Sequence, residues 1–147
     1  MSLVTFTQRP VYTVLGSHTM LEAAKRMCHH AVGALVVTDS DGTTPLGIIT
    51  DRDIVWMITE GLDPKAAEVS QFARAPLHTV SVNETVAAAV HKMREHGVRR
   101  LPIVDGERRL VGLVSLDDVL TLMGQEMADI AATISGELAF EHRITGE

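Results

Sequence analysis

Cysteine is nearly absent: Cys28 stands alone, so no disulfide can form within the chain, and the composition suits a reducing cytoplasm. Aromatic residues are almost as scarce, at 3%. A chain that is 46% hydrophobic must then build its core from Val, Ile, Leu, Ala and Met. An excess of basic charge is missing too. The net charge of −6 counts against general nucleic-acid binding, because a phosphate backbone needs a basic face. No apolar run approaches the ~20 residues of a membrane-spanning helix. The opening MSLVTFTQRPVYTV lacks a charged start followed by an apolar run, so no secretory leader is expected. Walker-type loops and Rossmann glycine patterns are absent. The seven histidines make no metal set: His29 and His30 are adjacent, and His91 and His96 are not the three or four residues apart that share a helix face. Neither Ser115 nor Thr50 has a recognisable His–Asp relay, so an enzyme is not expected. Cys28 lies near Lys25 and Arg26 on an apolar-periodic stretch and reads as a buried, inert thiol.

What the chain does have is a doubled text. MLEAAKRMCHHAVGALVVTDSDGTTPLGIITDRDIV, from Met20, is restated as VAAAVHKMREHGVRRLPIVDGERRLVGLVSLDDVL, from Val86. Met27 and Met93 share a slot (93 − 27 = 66), as do Leu35 and Leu101, and Asp39 and Asp105. One deletion in the turn shortens the offset (112 − 47 = 65), pairing Gly47 with Gly112, Thr50 with Ser115 and Asp53 with Asp118. Two copies imply a pseudo-symmetric body with a cleft between halves, a place suited to a small ligand. The 147 residues suffice for a domain burying roughly 70% of its unfolded surface.

In each copy apolar residues first recur at helical spacing: Met20, Ala23, Ala24, Met27, then Val86, Ala89, Val90, Met93. Ser17 and Asn83 are the expected N-caps. Gly97 suits a left-handed stop, and Ala31 in its place predicts a different ending for the first helix. Strands are predicted at 34–38 and 100–104, and again at 46–49 and 110–114, with Asp-Gly in each intervening turn. Pro102 predicts an edge or strand-start position. Short extended pieces end at Val14 and Val80, and second helices begin at Thr50 and Ser115. The unit therefore reads strand–helix–strand–strand–helix. Asp63-Pro64 predicts one or two helical turns in the connection, which has no Ser/Gly-rich stretch. In residues 120–140, Leu120, Met123, Met127, Ile130, Ile134 and Leu138 form an apolar stripe, to dock on the body or to pair with another subunit.

Both copies carry Gly-x-x-[Thr/Ser]-x-x-Asp: GIITDRD from Gly47 and GLVSLDD from Gly112. A Ser or Thr three residues before an acid is a capping box, which starts a helix and need do nothing else. The same geometry suits a ligand. A helix N-terminus offers N–H groups and partial positive charge to a phosphate, the hydroxyl can donate to it, and the Asp can accept from two neighbouring ribose hydroxyls.

In this order, with RRLPIVD, these motifs make the chain resemble a tandem pair of cystathionine-β-synthase (CBS) domains, a Bateman module, from about Val11 to Gly124. The resemblance implies an α/β (α+β) fold of two βαββα repeats packed as a pair. The expected bounds are repeat one at 11–60, a linker at 61–76, repeat two at 77–124, and a C-terminal amphipathic helical tail at 125–147. It implies an adenosine-containing ligand such as AMP, ADP or ATP, with ribose acceptors at Asp53 and Asp118 and hydroxyl partners at Thr50 and Ser115. Arg99 and Arg100, with Gly33 and Ala34 as counterparts, can hold phosphates and favour a charged nucleotide at the second site. Arg52 can reach a phosphate or pair with a neighbouring Asp. Ile49 and Val114 are expected to wall an adenine, and backbone groups near Val14 and Val80 to read its edge. A cytoplasmic regulatory sensor is expected, with no catalytic cofactor and no metal, as a homodimer signalling to an effector protein. The alternative is an interaction or oligomerisation module with no small-molecule ligand.

Overall fold

A computed structural model describes the backbone of residues 1–73 and 77–145, and side chains as far as residue 137. In chain order the elements are α1 (Val4–Thr7), β1 (Thr13–Leu15), α2 (Met20–His30), β2 (Ala34–Thr38), β3 (Pro45–Thr50), α3 (Asp51–Thr59), a 3-10 turn at Val69–Gln71, β4 (Val80–Ser81), α4 (Val86–His96), β5 (Arg100–Val104), β6 (Leu110–Ser115) and α5 (Leu116–Thr145). From β1 onward this is the strand–helix–strand–strand–helix unit, twice. The chain falls into two compact units, Met1–Val114 and Ser115–Glu147.

In one three-stranded sheet β2 lies between β1, to which it is parallel, and β3, to which it is antiparallel. In the other, β5 lies between β4 and β6 and runs parallel to β4. Both central strands are buried along almost their whole length on both faces, as strands are when layers cover the two sides of a sheet. On one side of the first sheet, Met20, Ala23 and Met27 of α2 pack with Val14, Leu35, Val37, Ile49 and Met57. Cys28 is exposed, which corrects the expected buried thiol: it is the next residue round the helix from Met27 and leaves the buried stripe.

The helix caps are Thr19 and Thr85, two residues later than expected. The Thr19 N–H donates to Glu22 Oε2 at 2.7 Å while the Glu22 N–H donates to Thr19 Oγ1 at 3.2 Å, a closed capping box. Ala88 N–H donates to Thr85 Oγ1 at 3.1 Å. The helix ends also match, against expectation. Ala31 adopts the left-handed conformation (φ 53°, ψ 45°) just as Gly97 does (φ 64°, ψ 31°). Val32 and Val98 then donate to Met27 O and Met93 O, both at 3.0 Å. The closing bonds hold Ala31 in a conformation its Cβ disfavours.

Pro102 sits in the central strand β5, not at an edge. Repeat one shows how this is accommodated. There Val36, its counterpart, donates its N–H to Tyr12 O at 3.1 Å. Pro102 has no N–H to give, and β4 is one residue shorter than β1, pairing only with Ile103 and Val104. In the connection Asp63 starts a single turn, accepting from Lys65, Ala66 and Ala67, and the helical residues come later, as the 3-10 turn.

The doubling extends further toward the N-terminus than the motifs alone indicated: Leu3, Phe6 and Pro10 match Val69, Phe72 and Pro76 at the same offset. The structure gives this extension a purpose. Residues 67–73 precede repeat two but pack on repeat one: Met20 N–H donates to Ala67 O at 2.9 Å, Thr19 bridges Glu68, and Val69 is fully buried in that core. Residues 1–7 precede repeat one but reach repeat two: Val86 N–H donates to Met1 O at 3.1 Å and Ser2 bridges Thr85. Each repeat thus receives the arm that leads into the other. Gly47 and Gly112 make room for these arms. A Cβ at Gly47 would lie 2.7 Å from Ala73 Cβ, and one at Gly112 would lie 3.2 Å from Phe6 O. A direct bond also ties the halves, Leu110 N–H to Thr43 O at 2.7 Å.

Candidate functional site

Each copy of Gly-x-x-[Thr/Ser]-x-x-Asp straddles the end of a strand and the start of a helix. Thr50 closes β3 and caps α3; Ser115 closes β6 and precedes α5. In the first, Asp53 Oδ2 accepts from the Thr50 N–H at 2.8 Å and from Thr50 Oγ1 at 2.9 Å, and Asp53 is only 8% exposed. In the second, Asp118 Oδ2 accepts from Ser115 Oγ at 2.6 Å and from the Ser115 N–H at 3.3 Å, while the Asp118 N–H donates to Ser115 Oγ at 3.1 Å. The carboxylates therefore close capping boxes in both repeats, and the hydroxyls already have an acceptor.

The start of α3 offers fewer free donors than a bare helix N-terminus would. Asp51 N–H donates to Gly33 O at 3.0 Å and Arg52 N–H to Asp51 Oδ1 at 2.8 Å. A ligand at this turn has to exchange with these bonds. The Arg52 side chain is exposed, and among the described residues no ion pair holds it. Counting along the repeats, Asp51 and Arg52 are replaced by Leu116 and Asp117, so the charges beside the two turns differ in sign and order. Arg100 opens β5 and is partly buried; Arg99, just before the strand, is exposed. They occupy the slots of Gly33 and Ala34, of which Ala34 pairs with Thr50 across β2 and β3.

Ile49 and Val114 are fully buried and offer no wall to a base, which corrects that expectation. The reason is the two-residue period of a strand. In β3, Gly47 and Ile49 face the core, while Ile48 and Thr50 share the other face and are partly exposed. Leu113 stands in the matching place before Ser115. Ile48 and Leu113 are the apolar residues next to the hydroxyls, and counting back two from Thr50 or Ser115 would have found them. Val14 and Val80 are buried as side chains, at 2% and 1% exposure. Their strands β1 and β4 are sheet edges, so each keeps one row of backbone groups outside its ladder, as reading the edge of a base requires.

Two ring pairs escaped the sequence reading. Tyr12 stacks on His30 with centroids 4.0 Å apart, and in the same slots of repeat two His78 stacks on His96 at 3.7 Å. Stacked rings point their nitrogens along parallel planes and do not converge on one ion. Among the described residues no group of three or more His, Cys, Asp and Glu gathers in a way that could hold a metal. A small cleft of about 80 Å³ is lined by Thr44, Pro45, Leu77, Thr79, Val104 and Arg108, too small for a nucleotide. Among the described residues no helix is long and apolar enough to cross a membrane.

Comparison with known proteins places this geometry. An uncharacterized protein of Methanopyrus kandleri is 34% identical over 132 residues, 89% of this chain and 65% of that protein, so the chain spans about two thirds of this relative. Hypoxic response protein 1 of Mycobacterium tuberculosis is 38% identical over 109 residues, 73% of this chain and 75% of that protein. Among solved structures, a CBS domain protein from Pyrobaculum aerophilum complexed with AMP superimposes with a TM-score of 0.73 at 28% identity, covering 80% of this chain and 89% of that one. A CBS domain pair in complex with 5′-methylthioadenosine and S-adenosyl-L-methionine gives a TM-score of 0.75 at 25% identity, over 86% and 98% of the two chains. The CBS domain pattern itself matches twice, at residues 4–60 and 69–124, and the chain belongs to the CBS domain family as a tandem pair.

Proposed function

We propose that this CBS pair is a regulatory sensor that binds an adenosine-containing ligand, of the class AMP, ADP, ATP or another adenosyl compound, at its two strand-to-helix turns. The observation that carries the reading is the doubled hydroxyl–carboxylate pair, Thr50 with Asp53 and Ser115 with Asp118, held at helix starts in both repeats. The adenosyl ligands of the two similar structures support it. In the bound state each Asp trades its capping bonds for ribose hydroxyls, and the adjacent hydroxyl turns to a phosphate or to water. The second turn, with Arg99 and Arg100 in place of Gly33 and Ala34, takes the more highly charged ligand. No catalytic step is proposed, and a cytoplasmic setting belongs to the same reading.

Signalling needs a partner that distinguishes bound from free, since a ligand shifts an equilibrium only by its differential affinity for the two states. An effector protein and a second copy of the chain fill that role in this proposal. The copy is supported by exposed apolar residues that recur in matching slots: Val55, Ile58 and Leu62 correspond to Leu120, Met123 and Met127.

Thermal melting with a panel of adenosyl compounds is the direct test, because any ligand that binds the native state raises the midpoint. Asp118→Ala removes two charge-assisted hydrogen bonds, each worth roughly 1.5–3 kcal/mol, and is expected to weaken binding by at least about tenfold in calorimetry. The second reading, an interaction module whose carboxylates only cap helices, is favoured by the closed capping boxes. It wins if no adenosyl compound shifts melting at millimolar levels, and for these residues if Asp53→Ala and Asp118→Ala cost ~1 kcal/mol of stability and leave binding intact.

A further inference from the structure

The second CBS match ends at residue 124, but α5 runs on to Thr145. Its exposed apolar residues do not stop at that boundary. Leu120 is 60% exposed, Met123 47%, Met127 66%, Ile130 56% and Ile134 55%. Successive steps along this series alternate between three and four residues. That is a 3.5-residue period, the period of two helices wound on each other; a straight helix lying on a globular body follows 3.6. Five large side chains, each about half exposed along one face, make a patch on the order of 500 Å², the size that marks a contact with another macromolecule. Two such patches meeting remove roughly 1,000 Å² before their neighbours add to it, close to the ~1,200 Å² where specific interfaces begin. The seam itself carries no charge. Of the residues flanking it between 120 and 134 (Gly124, Glu126, Ala131 and Thr133), Glu126 alone is charged, so two copies meet without a ladder of like charges, and the small residues admit a close approach.

We propose that a second copy of this chain covers this seam, α5 against α5 over residues 120–134. The self-pairing rests on the dimer part of the function proposed above and is independent of ligand binding. It extends that part beyond the faces repeated between α3 and the start of α5, because Ile130 and Ile134 lie past the family boundary.

The test uses the full chain. Sedimentation velocity is expected to show a dimer, and Ile130→Glu/Ile134→Glu to shift it to monomer at the same concentration. Gln125→Glu, off the seam, is expected to leave the dimer unchanged. In a Cys28→Ser background, Met127→Cys is expected to crosslink between chains with a short bismaleimide while Gln125→Cys is not. This second readout stands even if the glutamate variant folds poorly. A monomeric wild type, a glutamate variant as dimeric as the wild type, or equal crosslinking at the two positions overturns the proposal. Melting shifts with the adenosyl panel, followed in the same samples, separate its failure from that of the sensor reading: loss of ligand binding alone leaves the seam standing.

Discussion

Ala31 shows how a single residue can be held against its own preference. Its φ of 53° puts the Cβ near the following carbonyl, at a cost of roughly 1–2 kcal/mol, and the capping bonds that close α2 outweigh it. Arg108, at φ 63°, is held the same way in the second hairpin, where a turn one residue shorter leaves no glycine in that place. Ala31→Gly is therefore expected to stabilise the protein by about 0.5–1 kcal/mol in urea denaturation, the relief of strain being partly offset by a more flexible unfolded chain. No gain would mean that the cap is not formed in solution. Gly47 has the opposite requirement. A methyl there meets Ala73 at 2.7 Å, so Gly47→Ala is expected to cost about 1–3 kcal/mol by pushing the arm away, in the same assay. Residue types alone disclosed the glycines of the shared motif but not their purpose, because the atoms that need the space belong to arms distant in sequence.

At the scale of elements, carboxylates hold the turns and caps in place. Asp39 is kept below the usual carboxylate range first by the Thr44 N–H, and Asp105 first by the Arg109 N–H. Glu22 and Glu84 are lowered likewise, first by the N–H groups of Thr19 and Ser81. A carboxyl that is more acidic in the folded chain than in the unfolded one stabilises the fold above its unfolded pKa, and that contribution is lost as pH falls through the folded value. Stability is thus expected to be level near neutrality and to fall on the acid side of the carboxylate range. Asp39→Asn/Asp105→Asn should lower the neutral plateau and flatten the acid limb, followed by denaturation across pH. An acid limb of unchanged steepness would show that other groups set it. Most of these elements were legible: the strands at 34–38 and 100–104 and the helix starts after Thr50 and Ser115 follow from local pattern. The caps were misplaced by two residues because Ser17 and Asn83 are good capping types too, and the deciding signal was Glu22, three residues after Thr19. Pro102 misled because an edge is the usual place for a residue without an N–H. Here the neighbouring strand is shortened instead.

For the whole molecule, the exchange of arms is the main structural fact. Phe6 is 2% exposed and Leu3 fully buried, although both lie at the N-terminal end of a chain whose own first repeat is elsewhere. Phe6→Ala is expected to cost about 3–5 kcal/mol, as large-to-small changes in a core do. Hydrogen exchange should show the loss in β4, α4 and β5 more than in β1, α2 and β2, and Phe72→Ala should reverse that order. Equal loss in both repeats would contradict the exchange. The exchange also explains why the connection needs no flexible segment: residues 67–73 are structural parts of repeat one before the chain enters repeat two.

The sequence by itself determined the doubled unit, its order of strands and helices, and the four residues Thr50, Asp53, Ser115 and Asp118 at two helix starts. All of these rest on short-range hydrogen bonding and side-chain periodicity, which a few consecutive residues specify. Only the tertiary structure decided that each arm belongs to the other repeat, that Ile49 and Val114 face the core while Ile48 and Leu113 share the face of the hydroxyls, and that Pro102 lies in a central strand. Those outcomes depend on which surfaces meet across long separations in the chain. Local patterns set which residues share a face, but packing alone sets what that face is buried against.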